Sequence, residues 1–281
     1  MAKAKCDVRI GTSGWHYGHW AGPFYPADLP KDKWFAYYAK NFDTVEINNT
    51  FYHLPREETF RNWCKQAPAG FLFAVKANRY ITHIKRLKDP QEVLDRFFER
   101  VRLLKGSLGP ILYQLPPSLH KDLDRLEFFL QVLRNVILNP SPCSRTGSAK
   151  RPVLRSSSSA TAEDGSEESL PRRPDSVFEF RHESWYCEDT YKLLGRFGVG
   201  FCIHDLSGLE SPRVVTGDII YVRFHGTTGR YSGCYSKSML ANWAKWLKDR
   251  AKDVRSIYVY FNNDEAAYAI RNAKELKDQF S

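Results

Sequence analysis

Short apolar or alternating runs recur along this chain, and amphipathic stretches of helical period separate most of them. The short runs are 8–12, 44–48, 71–76, 111–115, 177–181, 200–205, 219–225 and 257–262, each bounded by Gly, Pro, Asn or Asp. Between them, 31–41, 57–66, 90–105, 123–138, 188–197, 237–252 and 264–279 carry apolar residues at the spacing that puts them on one helix face. Eight strands alternating with helices predict an α/β chain whose parallel sheet closes on itself, a (β/α)8 TIM barrel. The stretch 206–217 between strands six and seven has no helical period, so one outer helix is expected to be missing there. The 281 residues suit one such barrel, which takes about 250.

Residues 139–175 interrupt the pattern with prolines, mixed charges and the run Ser156-Ser-Ser-Ser159, and contain almost nothing apolar. Such a composition buries too little surface to offset its ordering entropy, so a disordered insertion in a single barrel domain is expected.

Charge adds a preference for anions. The formal net charge is +10. Residues 1–138 carry most of it, with 21 Lys and Arg against 14 Asp and Glu. That excess attracts phosphorylated ligands or nucleic acid, although charge alone selects no partner. No apolar run approaches the roughly 20 residues of a membrane span, and the polar start at Met1–Asp7 has no secretory h-region. The six cysteines are scattered without a CxxC pair, which speaks against a disulfide framework or structural zinc and for an intracellular, cytoplasmic location.

Strand parity then selects candidate chemistry. Alternate residues face the barrel interior, and the carboxyl ends of the strands form the face where barrel enzymes work. With Val45 and Ile47 outward, Glu46 and Asn48 face in. With Phe178 and Phe180 outward, Glu179 and Arg181 face in. Strand seven turns Tyr221, Arg223 and His225 inward, and strand eight turns Tyr258, Tyr260 and Asn262 inward. Lys76 and Gln114 end strands three and four, and Asp205 closes strand six. Glu46, Glu179, Asp205 and His225 are the candidate catalytic groups. Asn48, Lys76, Gln114, Arg181, Arg223 and Asn262 are candidate substrate contacts. A web of salt bridges plugging the barrel is the competing reading, because buried charges must pair. Trp15, after strand one, and Trp185, after strand five, join the substrate contacts if they stack on a base or sugar, or else fold back as packing.

The segment 76–88 holds Lys76, Arg79, Lys85, Arg86 and Lys88 with Tyr80 and His83, a set suited to phosphate oxygens or to a solvated loop. GxGxxG, P-loop, HExxH and GxSxG motifs are absent. Only His204 and His225 sit at strand ends, so neither a metal nor any other cofactor is expected.

Several ordered blocks carry a resemblance. Ile10-Gly-Thr-Ser-Gly-Trp15, Val45-Glu46-Ile-Asn-Asn-Thr-Phe-Tyr52, Phe73-Ala-Val-Lys76-Ala, Tyr113-Gln114-Leu-Pro-Pro117, Phe178-Glu179-Phe-Arg181-His-Glu-Ser-Trp185, Tyr221-Val-Arg223-Phe-His225-Gly226 and Tyr260-Phe-Asn262-Asn-Asp264 resemble the YecE-like family of proteins of unknown function. The resemblance implies a TIM barrel and no particular activity. The chain departs from it in the length of the insertion and at Ala266-Ala267, where a glycine is expected. Three functions stay open: an enzyme acting by acid/base chemistry on a phosphorylated, nucleotide or sugar-containing substrate; a nucleic-acid binder distantly like the barrel endonucleases of abasic sites; and a non-catalytic ligand binder.

Overall fold

The computed structural model describes residues 5–139, 173–206, 210–229 and 231–280. Eight strands form one parallel sheet: β1 (Asp7–Thr12), β2 (Thr44–Ile47), β3 (Leu72–Lys76), β4 (Leu108–Gln114), β5 (Ser176–Glu179), β6 (Gly200–Asp205), β7 (Ile219–Phe224) and β8 (Ser256–Phe261). Each strand pairs with its sequence neighbour, and β1 pairs with β8. A parallel bridge from Ser13 to Glu46 joins β1 to β2 and closes the circle. Closure needs a bare backbone at Gly11, where a Cβ would stand 2.3 Å from the Thr44 carbonyl oxygen. The expected TIM barrel is the fold.

The outer helices are α1 (Trp34–Tyr38), α2 (Asn49–Tyr52), α3 (Glu57–Gln66), α4 (Pro90–Val101), α5 (Leu123–Leu138), α6 (Glu188–Arg196), α7 (Lys237–Ala251) and α8 (Tyr268–Asp278). Side-chain N-caps start two of them, where Asp122 accepts from the Arg125 amide at α5 and Ser236 from the Met239 amide at α7, and Pro90 occupies the first helical position of α4. Between β6 and β7 the described residues contain no helix. The insertion expected at 139–175 lies, from 140 to 172, outside the described residues. None of the described helices is long and apolar enough to cross a membrane.

Two apolar layers result. The larger packs outward-facing strand residues such as Val45, Val75, Phe178 and Val222 against the helices. The smaller fills the amino-terminal half of the barrel with Leu72, Ala74, Leu112, Val177, Cys202, Ile219, Tyr221, Tyr258 and Tyr260. The inner positions one step further along the strands are polar, so the barrel changes from a dry plug to a charged layer as its carboxyl rim is approached.

Candidate active site

Arg223 is the centre of that layer. It is buried, and its guanidinium spans two carboxylates: Nη1 donates to Glu179 Oε2 at 2.6 Å and Nη2 to Glu46 Oε1 at 2.8 Å. Glu46 also accepts from the Ser13 hydroxyl at 2.7 Å and the Tyr221 hydroxyl at 2.6 Å. Arg181 forms an ion pair with the other oxygen of Glu179 and donates through Nη2 to His225 Nε2 at 2.9 Å. Two anions thus meet two cations, the arrangement that makes buried charge tolerable.

The tautomer of His225 follows from its neighbours. A guanidinium only donates, so Nε2 must accept and the proton sits on Nδ1. The Asn262 side-chain amide stands with Nδ2 3.2 Å from Nδ1, and turning the amide over presents its oxygen to accept the Nδ1 proton. Burial, and then the charge of Arg223, hold His225 well below the usual histidine range, so it is neutral at pH 7. Glu179 shows the opposite balance: burial favours its protonation, but Arg181 and then Arg223 outweigh it and keep the carboxylate ionised.

Lys76 is different. Only 9 % exposed, its ammonium makes no hydrogen bond or ion pair among the described residues. It stands over the Phe51 ring, 4.2 Å from the centroid. Burial, and then the nearby Arg223, lower its pKa to about 7. The His83 ring meets Phe51 near-perpendicularly, and its pKa is lowered to about 4, by burial and then by Lys76. Several buried polar atoms of this layer, among them Asn48 Oδ1, Arg181 Nε, Arg223 Nε and His204 Nδ1, have no hydrogen-bond partner among the described residues.

Glu46, Lys76, Glu179, Arg181, Arg223, His225 and Asn262 therefore gather on one face of the barrel, and Asn48 and Gln114 continue the inward parity of their strands. Three candidates lie elsewhere. Asp205 shares its parity with Phe201 and Ile203, so its side chain turns outward to Trp243; burial, and then Glu210, raise it to about 6. Trp185 is 1 % exposed, stacks on outward-facing Phe180 and donates its indole N–H to the Leu119 carbonyl at 2.7 Å. Trp15 packs among Phe35, Trp63 and Phe73. Both tryptophans pack in the layer between strands and helices, Trp185 fully buried and Trp15 partly so. Ser13, and His204, which the sequence placed at a strand end without counting it as a candidate, are inward residues missing from the predicted site. Parity carried on from Gly11 and Cys202 would have found them.

Among the described residues no group of three or more His, Cys, Asp or Glu side chains is placed to hold a metal ion, and the five described cysteines are unpaired. Beside the mouth, a groove of about 1060 Å³ opens between the loops after β2 and β3 and helices α4 and α5. Tyr52, Tyr80, Ile84 and Phe128 expose large apolar surfaces in it, with Arg79 and Arg96 on its walls.

A closed eight-stranded barrel with a charged layer at its carboxyl rim places the chain in the TIM-barrel class. Residues 9–281 match the sequence family described as "Protein of unknown function DUF72", and the chain belongs to that family. It is 21% identical over 302 aligned positions to UPF0759 protein YunF of Bacillus subtilis, covering 96% of this chain and 93% of YunF. A 97-residue stretch is 32% identical to UPF0759 protein YecE of Escherichia coli, covering 34% and 36% of the two chains. The crystal structure of a DUF72 family protein from Thermotoga maritima superimposes with a TM-score of 0.76 at 27% identity, over 98% of this chain and 99% of that one. The resemblance read from the sequence motifs is thereby established as membership.

Proposed function

We propose that the barrel mouth is the active site of an enzyme acting on a small anionic substrate, phosphorylated, nucleotide or sugar-containing, by proton transfer. One observation carries this reading: Lys76, a buried cation without a carboxylate partner, beside a cage whose other charges are matched. A purely structural network has no use for a fifth charged group that burial pushes toward neutrality, whereas a proton-transfer site needs a group titrating near the working pH. Glu179, locked between two guanidiniums, is a fixed negative charge rather than a proton donor. His225, neutral and accepting from Arg181, orients that guanidinium. Arg181 is 8 % exposed and its Nε is unpartnered, so it is the group to meet an incoming anion.

The test is a thermal-shift and binding screen of phosphorylated sugars, nucleotides and carboxylates, with metabolites that co-purify identified by mass spectrometry. An anion that raises the melting temperature of the wild type and has at least tenfold lower affinity for Arg181→Gln is the expected result. Ligands that bind both proteins equally place the site elsewhere. A second reading, nucleic-acid binding, is favoured by the adjacent groove, where Tyr52 is 70 % exposed beside Tyr80, Arg79 and Arg96. Oligonucleotide affinity that does not fall with salt would reject it.

A further inference from the structure

The mouth holds a lysine in the setting that makes an amine nucleophilic. Lys76 ends β3 with its side chain pointing into the barrel, in phase with Leu72 and Ala74. The residue is 9 % exposed, its nitrogen has no ion-pair partner among the described residues, and it is held over the Phe51 face. Two guanidiniums, Arg181 and Arg223, belong to the same layer, and each has its own carboxylate contacts. A lysine desolvated beside fixed cations releases its proton readily, and the free amine attacks carbonyl carbon.

We propose that Lys76 forms an imine with the carbonyl group of a small anionic aldehyde or ketone whose acidic group is held by Arg181. This rests on the reading of the mouth as a substrate site. In the step, the nitrogen lone pair of the neutral amine forms a C–N bond, and the carbonyl π electrons move to oxygen, which takes a proton. The nitrogen loses a proton, giving the neutral carbinolamine; its hydroxyl takes a second proton from solvent and leaves as water as the nitrogen lone pair forms the C=N bond. The product is the protonated imine, a cation where the ammonium stood. The Phe51 face favours that cation, as it favoured the ammonium, and the cage next to it brings no additional desolvated charge.

An anion-holding role alone is a poorer account of this lysine. Arg181 already supplies a permanent, fork-shaped donor at the rim, whereas Lys76 is half deprotonated at neutral pH, its pKa being lowered to about 7 by burial and then by Arg223. Set against an ordinary lysine near 10.4, that is roughly a thousandfold more free amine at pH 7.

Reductive trapping tests the proposal. Full-length protein is treated at pH 7 with cyanoborohydride and either glyoxylate, a small anionic aldehyde, or glycolaldehyde, a neutral one, and the modified lysines are located by peptide mass spectrometry. Lys76 is expected to be trapped by glyoxylate at least tenfold faster than exposed Lys192, with a rate that levels off above about pH 7. Arg181→Gln, checked for native circular dichroism, should cut the preference of Lys76 for glyoxylate over glycolaldehyde, the ratio of the two trapping rates, about tenfold. Trapping at Lys76 no faster than at Lys192 with either aldehyde overturns the imine and leaves the anion-binding mouth to stand on its own binding screen. Fast trapping that ignores both the aldehyde's charge and the Arg181 substitution keeps the nucleophile and removes the anion site.

Discussion

Arg223 and Glu179, 44 residues apart in the chain, meet inside the barrel with Nη1 2.6 Å from Oε2. Because the same guanidinium also holds Glu46, one side chain from β7 ties together β2 and β5 on the far wall. Removing it should be costly. Arg223→Leu leaves buried Glu46 without a cation and Glu179 with Arg181 alone, and a loss of about 3–5 kcal/mol is expected in chemical denaturation. Combining it with Glu46→Gln should restore part of that loss, since Glu179 keeps Arg181 and no carboxylate is left without a cation. If Arg223→Leu costs under about 1 kcal/mol, the cage is wet and its charges are not coupled.

The Tyr221 hydroxyl donates to Glu46 Oε2 at 2.6 Å in a buried setting. Tyr221→Phe deletes one oxygen and leaves the ring packed. The expected cost is about 1–3 kcal/mol, the price of a buried charged acceptor losing one donor. Unchanged unfolding curves would show that Ser13 and Arg223 suffice for Glu46.

Acid stability should follow Glu179. Its folded pKa lies well below the usual carboxylate value, held there by Arg181 and Arg223 against burial. As the pH falls below about 4.5, the unfolded chain takes up a proton at this position and the folded chain does not, so stability drops with falling pH. Glu179→Gln should be less stable at pH 7 and show a flatter decline from pH 4.5 to 3. An identical slope in both proteins would assign acid unfolding to other carboxylates.

Lys76 works in the other direction. Its folded pKa is lowered to about 7, so between pH 7 and the unfolded value near 10.4 the unfolded chain binds more protons and stability rises with pH. Below pH 7 both states are protonated, and the cost of burying the ammonium is fully present. Lys76→Met should therefore be more stable than wild type at pH 6, with an advantage that shrinks steadily up to pH 10. An advantage independent of pH would mean that the amine is not desolvated.

Ala266 and Ala267 occupy the left-handed region, with φ of 51° and 59°, at the entry to α8. This is the place where the family resemblance led us to expect glycine, and the strain explains the expectation. Ala266→Gly should be neutral to stabilising by up to about 1 kcal/mol, because relief of the left-handed penalty offsets the added freedom of the unfolded chain. A clear loss in melting temperature would contradict it.

Much of the barrel was legible before any coordinates. Strand period and boundary residues are local properties, and they placed all eight strands within a few positions. Parity is local too, and it turned Glu46, Lys76, Glu179, Arg181, Arg223 and His225 inward correctly. Where parity was not applied, at Asp205, a strand end was mistaken for a rim position, although Phe201 and Ile203 share its phase and mark it as outward. The tryptophans failed for another reason. Nothing near Trp185 in sequence reveals that Phe180 and the Leu119 carbonyl enclose it, because those contacts exist only once helix and strand have packed.

The sequence by itself determined the order of elements, the inward face of each strand and the family, since each depends on residues close together along the chain. Only the tertiary structure decided which inward charges share partners. Closing the barrel brings β2, β5 and β7 within hydrogen-bond reach, gives Arg223 both carboxylates and leaves Lys76 buried with none. Pairing of that kind is a matter of distance across the barrel, and no spacing along the chain encodes it.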